Sequence, residues 1–176
     1  HIPVQSGSDA VLQQMVREYT AAQFRRLANG LKDRVPKLSV ATDIICGFPA
    51  EAEKDFQETL ELVREFRFPF INISQFYARP NTPAARMKRL DSATGKARSS
   101  ELTRVFSSYS TNGPELVGTE ERVWFSEIDT KFGQTVGHSK SYVKVVVEGR
   151  REELLGKNRM VRISGVNKWH LLGELV

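Results

Sequence analysis

Apolar and polar positions follow one another in two different textures along the chain. From residue 1 to about 113, short β-branched runs take turns with segments whose apolar residues recur every three or four positions. That is the pattern of repeated β/α units. His1–Gln5 reads as the end of a strand. Ser8 is placed to cap a helix reaching Tyr19, with Val11, Leu12, Met15, Val16 and Tyr19 on one face. Thr20 is placed to cap the next, with Phe24, Leu27, Ala28 and Leu31 in its stripe and Pro36 closing it. Leu38–Cys46 is rich in apolar and β-branched residues, which predicts a strand buried on both faces. Gly47-Phe48-Pro49 turns the chain into a helix from about Glu51 to Phe66, with Phe56, Leu60, Val63 and Phe66 inward. Glu51, Glu53 and Asp55 sit in its first turn, where the helix dipole favours negative charge. Phe70–Ala78 reads as the following strand, and the two prolines of Arg79-Pro80-Asn81-Thr82-Pro83 stop it. A last helix carries Leu102, Val105, Phe106 and Tyr109.

After Asn112-Gly113-Pro114 the helical periodicity disappears. Arg122–Ile128, Thr135–His138, Tyr142–Glu148, Met160–Gly165 and Trp169–Val176 read as consecutive strands. Five short strands in so small a space predict a barrel of the oligonucleotide-binding type. The expected domains are therefore an α/β unit over 1–113 and an all-β unit over 115–176. A barrel of this size needs large residues inside. Of Trp124, Phe125, Phe132, Tyr142 and Trp169, only a minority is therefore expected at the surface. Those that are exposed could stack on bases beside Lys140, Lys144, Arg159, Arg162 and Lys168.

Composition narrows the chemistry. The chain has 176 residues, 40% of them hydrophobic, and a formal net charge of +5. This suits a globular protein and permits an acidic partner without demanding one. No apolar run approaches the ~18 residues of a membrane helix, so no membrane contact is expected from this segment. One cysteine excludes an internal disulfide and any iron–sulfur cluster held by this chain alone. His1, His138 and His170 lie too far apart in sequence to suggest a metal site. Cys46, in an apolar strand, reads as a buried thiol rather than a nucleophile. The basic stretch holding Arg86, Lys88, Arg89, Lys96, Arg98 and Arg104 reads either as a solvated face or as a phosphate-contact surface. The first residue is a histidine opening an apolar run, so the chain is expected to be cut from something longer.

Ligands of β/α proteins gather at the carboxyl ends of the strands, and three such ends carry suggestive residues. Gln5-Ser6-Gly7-Ser8 offers an amide, two hydroxyls and a glycine that lets a ligand approach the backbone; it also suits a helix cap with a turn. Gly47 and Glu51 follow the second strand, where a flat ring could lie against bare backbone; a tight strand-to-helix turn is the alternative. Gln75, Tyr77 and Arg79 follow the third. Arg79 is a fixed cation on a stiff loop, suited to a carboxylate or phosphate.

Taken in order, HIPVQSGSDAVLQQM, ATDIICGFPAEAEKDFQETLELV and ISQFYARPNTPAARM resemble the radical S-adenosylmethionine tRNA methylthiotransferases, most nearly the eukaryotic and archaeal threonylcarbamoyladenosine type. The resemblance by motif covers residues 1 to about 110. The later β segment falls where that family has its TRAM domain, an RNA-binding barrel. The resemblance implies an α/β fold: the carboxyl-terminal part of a radical-SAM partial β/α barrel, followed by a small OB-like TRAM barrel. It implies S-adenosylmethionine and two 4Fe-4S clusters whose cysteines lie outside this chain. It implies tRNA as partner and a methylthio group added to a modified adenosine beside the anticodon. Sulfur and electron donors stay unassigned. Gln5, Ser6 and Ser8 match the family's QSGS segment near the cofactor. Ile45, Gly47 and Glu51 match the strand-end motif beside the adenine. Gln75, Tyr77 and Arg79 match the next strand end. Arg79 is read as a substrate contact, together with Lys140, Lys144, Arg162 and Lys168 of the barrel.

Two departures stand out. The family's GFPGET reads Gly47-Phe48-Pro49-Ala50-Glu51-Ala52, which would strain the turn if Ala50 needs a positive φ. Its RPGTP has Asn81 at the glycine, a milder change because Asn tolerates the left-handed region. Three functions follow: a piece of a methylthiotransferase, inactive alone; a non-catalytic tRNA-binding remnant or module; or an unrelated β/α-barrel enzyme with a small β domain. The third would need a complete set of strands, and three cannot close an eight-stranded barrel. A cytoplasmic monomer is expected, with endoplasmic reticulum association only if an anchor follows Val176. Residues 1–113 expressed alone are expected to be poorly soluble, because a cut barrel bares a strand edge.

Overall fold

The computed structural model describes every residue from His1 to Val176. The chain falls into two compact units, His1–Tyr109 and Ser110–Val176.

The first unit is α/β. Its helices are α1 (Asp9–Gln14), α2 (Ala21–Arg34), α3 (Glu53–Phe66) and α4 (Ser92–Ser107), and its strands are β1 (Ala41–Cys46) and β2 (Phe70–Gln75). The strands pair in parallel, from Ala41 opposite Phe70 to Cys46 opposite Gln75. Residues 2–5 run along the other edge of β1. Ile2 donates its N–H to the Ala41 carbonyl (2.8 Å), and the Ile45 N–H reaches Gln5 (3.0 Å). Only Gln5 and Ile44 form a bridge, so this predicted strand stays an extended edge. Parallel neighbours need crossover connections, and α2 and α3 supply them. Phe24 and Ala28 of α2 pack with Phe56, Leu60, Val63 and Phe66 of α3 over Val4, Ile44 and Cys46.

Several expectations change here. β1 is buried on one face only: Thr42, Ile44 and Cys46 are covered, whereas Ala41, Asp43 and Ile45 are partly open. The core helices pack against the first set, which leaves the second as an open sheet face. The helix after Ser8 stops at Gln14, because Val16 turns left-handed (φ 57°) and is exposed. Tyr19, expected on that helix, instead donates its hydroxyl to the Pro3 and Val4 carbonyls. Thr20 does cap α2, exchanging bonds with Gln23 in both directions. Leu27 points to solvent, so the buried stripe of α2 is narrower than its periodicity implies. No positive φ occurs at Ala50, and the anticipated strain is absent; Asn81 does take one, at 65°.

The second unit is a closed barrel in the order β3-β4-β5-β7-β6. The strands are β3 (Glu120–Asp129), β4 (Gln134–Ser139), β5 (Lys144–Val147), β6 (Asn158–Val166) and β7 (Leu171–Leu175). All five predicted strands are present. β5 and β7 pair in parallel, and every other pair is antiparallel. Val123, Phe125, Val145, Val147, Leu154, Val161, Ile163 and Leu171 form the interior. The expectation for the aromatics is reversed. Phe125 is 2% exposed, but Trp124, Phe132, Tyr142 and Trp169 are between 44% and 66% exposed. β-Branched and leucine side chains already fill a five-stranded interior, and the large rings are left outside.

Candidate functional site

The carboxyl ends of β1 and β2 open into a cavity of about 580 Å³. Ile45, Phe48 and Phe76 give it apolar walls, and Ser74 and Gln75 give it polar groups. Tyr77 and Arg79 stand at its mouth on the irregular segment after β2, which ends at Gln75 rather than at the expected Ala78. Of the residues singled out in the sequence, Ile45, Gln75, Tyr77 and Arg79 are thus brought together. Arg17, which the sequence reading passed over, lines the same cavity beside Val16. Neither Arg17 nor Arg79 forms an ion pair through its guanidinium. The non-glycine positive φ at Gln5, Val16 and Asn81 places strained backbone at the strand ends and loops of this region.

The other candidates lie behind the cavity. Glu51 is 2% exposed. Its Oε2 accepts from the Gly47 N–H (2.8 Å) and from Arg98 Nη1 (2.8 Å). Burial pushes the Glu51 carboxyl up, while the Gly47 amide and Arg98 pull it down. Gly47 has a φ of 77°, and a Cβ there would sit 3.0 Å from the Gly95 Cα. Its missing side chain therefore serves the turn and the approach of α4, rather than opening backbone to a ring. Arg98 is withdrawn from the predicted basic surface for the same reason. Cys46 is buried as expected; desolvation and Glu51 push its thiol up to about 12, against the pull of Arg98.

Ser6 and Ser8 are also committed inside the protein. Ser6 Oγ meets Thr59 Oγ1 at 3.2 Å, and Ser8 Oγ donates to Asp55 Oδ1 at 2.6 Å. The Ser8 hydroxyl therefore ties α1 to α3 and does not cap its own helix. Gly7 donates to Thr59 Oγ1 (2.9 Å), and its missing Cβ admits the backbone of α3. Gln5, also buried, lies at the end of the edge beside β1, and none of Gln5, Ser6 and Ser8 lines the cavity. On the open sheet face, His1 Nε2 meets Asp43 Oδ1 at 2.9 Å, with Asn72 opposite Asp43 in register. Strand register alone reveals that grouping.

The barrel presents a second candidate surface. Trp124 lies opposite His138, and His138 opposite Lys144. Burial first and the Lys144 charge second hold the His170 imidazole below its usual pKa. A row of aromatic, imidazole and ammonium groups therefore crosses β3, β4 and β5 to the start of β7. The Tyr142 ring stacks on His138 with centroids 4.6 Å apart. Beside this row, Lys168 Nζ lies 5.0 Å over the Trp169 ring. Lys140 is exposed in the β4–β5 turn. Arg162 stands apart, paired with Glu120 at 3.0 Å and opposite Glu174. Cross-strand register makes both histidines members of one surface.

Residues 114–176 match the TRAM domain family. The whole chain is 45% identical to a protein of Drosophila pseudoobscura pseudoobscura and, over 178 aligned residues, 44% identical to one of Homo sapiens. Both are named threonylcarbamoyladenosine tRNA methylthiotransferase. A Dictyoglomus thermophilum tRNA-2-methylthio-N(6)-dimethylallyladenosine synthase is 36% identical over the whole chain. The chain is thus similar over its whole length to one part of the tRNA methylthiotransferases. It spans 32%, 30% and 40% of the length of these three relatives.

Two cofactors come with the methylthiotransferase family, and this chain's residues treat them differently. The strand-end cavity suits S-adenosylmethionine: its size lies within the range of small-ligand sites, its walls are apolar and aromatic, and cations stand at its mouth. Ile45, Phe48 and Phe76 can take a flat ring, and Arg17 or Arg79 a carboxylate. An iron–sulfur cluster does not fit. Cys46 is the one cysteine and is buried, and no group of three potential metal ligands occurs. No helix is long and apolar enough to cross a membrane.

Proposed function

We propose that this chain forms part of an enzyme that adds a methylthio group to threonylcarbamoyladenosine next to the anticodon of tRNA. The observation that carries the reading is identity of 44–45% across both units with relatives bearing that name. In this reading the cavity at the ends of β1 and β2 holds S-adenosylmethionine. When bound there, that cofactor would supply the radical chemistry of the reaction.

The chain's own residues bind and orient. Ile45, Phe48 and Phe76 take the apolar ring and exclude water from it. Gln75 and Tyr77 offer a donor amide and a hydroxyl at the same strand end. Arg79 meets an anionic group of cofactor or substrate. The TRAM barrel contacts tRNA through the row of Trp124, His138, Tyr142 and Lys144, flanked by Lys140, Lys168 and Trp169. Exposed rings stack on unpaired bases and ammonium groups meet phosphates. Arg162, already engaged by Glu120, belongs outside that contact. The cluster ligands lie elsewhere in the whole protein, so this chain alone is inactive.

The test is product analysis by mass spectrometry after full-length protein, reconstituted with iron and sulfide, acts on the tRNA. Methylthio nucleoside is expected with the wild type and not with this chain alone. Arg79→Ala should lose turnover while remaining folded. A full-length protein that binds tRNA but yields no methylthio product would leave only a binding module, and unchanged turnover in Arg79→Ala would remove that residue from the site.

A further inference from the structure

α4 never enters the cavity, yet it holds both strand ends that form it. Gly95, Arg98 and Ser99 lie on one helical face. Gly95 packs against Gly47, one of the two residues between cavity-lining Ile45 and Phe48. Arg98 Nη1 donates to the Glu51 carbonyl (2.9 Å) and to Glu51 Oε2 (2.8 Å), while Nη2 reaches Glu53 Oε2 (3.2 Å). The same Glu51 Oε2 accepts the Gly47 N–H, so one carboxylate oxygen joins helix to turn. One residue further on, Ser99 Oγ accepts from the Gln75 amide at 3.1 Å.

We propose that Arg98 is a positioning residue for the cavity, acting through Glu51 and Gly47 to fix where Ile45 and Phe48 stand. The proposal rests on the reading that this cavity takes S-adenosylmethionine. The chemistry of the pair argues for geometry over stability. Arg98 is 7% exposed and its Nε–H is buried with no acceptor. A buried ion pair is in general no more stabilising than an apolar pair of the same shape, and an orphaned N–H makes it less so. What an apolar pair could not do is bond the Gly47 amide and the Glu51 carbonyl at once. The Arg98→Lys change leaves a single point charge, which cannot span Glu51 and Glu53 as the guanidinium fork does.

The experiment measures S-adenosylmethionine affinity by equilibrium binding, KM and kcat for the same compound, and thermal stability in the full-length holoenzyme. Arg98→Met should weaken binding at least tenfold and raise KM more than it lowers kcat, with Arg98→Lys in between. The double variant Glu51→Gln/Arg98→Met should regain thermal stability, since no buried charge is left alone, yet keep the weak binding. Affinity that returns together with stability would make the pair merely structural and overturn the proposal. So would unchanged affinity in a folded Arg98→Met. A wild type with no affinity for S-adenosylmethionine would instead overturn the reading of the cavity, and this assignment with it.

Discussion

The same substitution at two glycines should shift stability in opposite directions. A Cβ at Gly7 would lie 2.5 Å from the Glu58 carbonyl oxygen and 2.7 Å from the Thr59 Cα. Both are backbone atoms of α3 and cannot swing aside. Ordinary contact would require α3 and the Gly7 segment to separate by ~1 Å, and overpacking of that kind costs about 1–3 kcal/mol. Separation would also stretch the Gly7–Thr59 and Ser8–Asp55 bonds, at about 1 kcal/mol each if lost. Gly7→Ala should therefore destabilise the α/β unit by about 3 kcal/mol, a fall in Tm of roughly 10–25 °C for a unit of this size. Gly30, inside α2, has nothing within 4 Å of its virtual Cβ. Gly30→Ala should stabilise by about 0.5–1 kcal/mol through helix propensity alone. The assay is urea unfolding followed by two signals. All α-helices lie within residues 1–109, so helical circular dichroism reports that unit; Trp124 and Trp169 report the barrel by fluorescence. Both variants should move the first signal and leave the second in place. A Gly7→Ala midpoint indistinguishable from wild type, or one displaced in the same direction as Gly30→Ala, refutes the packing argument.

Two further outcomes follow from titration. Cys46, with its thiol pushed up to about 12, should resist a disulfide reagent at mildly alkaline pH until denaturant is added; rapid labelling of native protein would contradict its burial. His170 has its pKa held below the usual 6.5, by burial first and Lys144 second. The folded barrel then binds fewer protons than the unfolded chain, so its stability is full above 6.5 and declines as pH falls toward the depressed value. The fluorescence-detected Tm should drop over that window. His170→Asn should flatten the slope, and an identical slope in the variant would show that other groups set it.

What could be read from the sequence, and what could not, divides along the range of the interaction. Thr20 and Gln23 cap α2 within one turn. Asn81 takes a left-handed φ between two prolines, and the five barrel strands declare themselves by local alternation. Each of these is settled by near neighbours in the chain. Arg98 looked like part of a basic surface because its partners, Glu51 and Glu53, are far away in sequence. His138, Lys144 and His170 seemed unrelated until strand register set them side by side. The bonds of Ser6 and Ser8 to Thr59 and Asp55 of α3 could not be read locally, because those partners lie far along the chain. Two of the three strand ends singled out in the sequence line the cavity, and only the fold separates the residues that line it from those that brace the turn behind.

The position of β7 has a consequence for synthesis. It is the last barrel strand in chain order, yet it lies between β5 and β6, bonding one in parallel and the other antiparallel. While the ribosome is still making residues 171–175, everything before them can form only an open, curved ribbon from β5 through β4 and β3 to β6. Its two outer strands then have bare N–H and C=O groups and an uncovered valine-rich interior. Such edges are where nascent chains find one another. The barrel therefore shuts in a single late event, and a premature stop before Leu171 would release a product exposed to aggregation and proteolysis, not a smaller barrel.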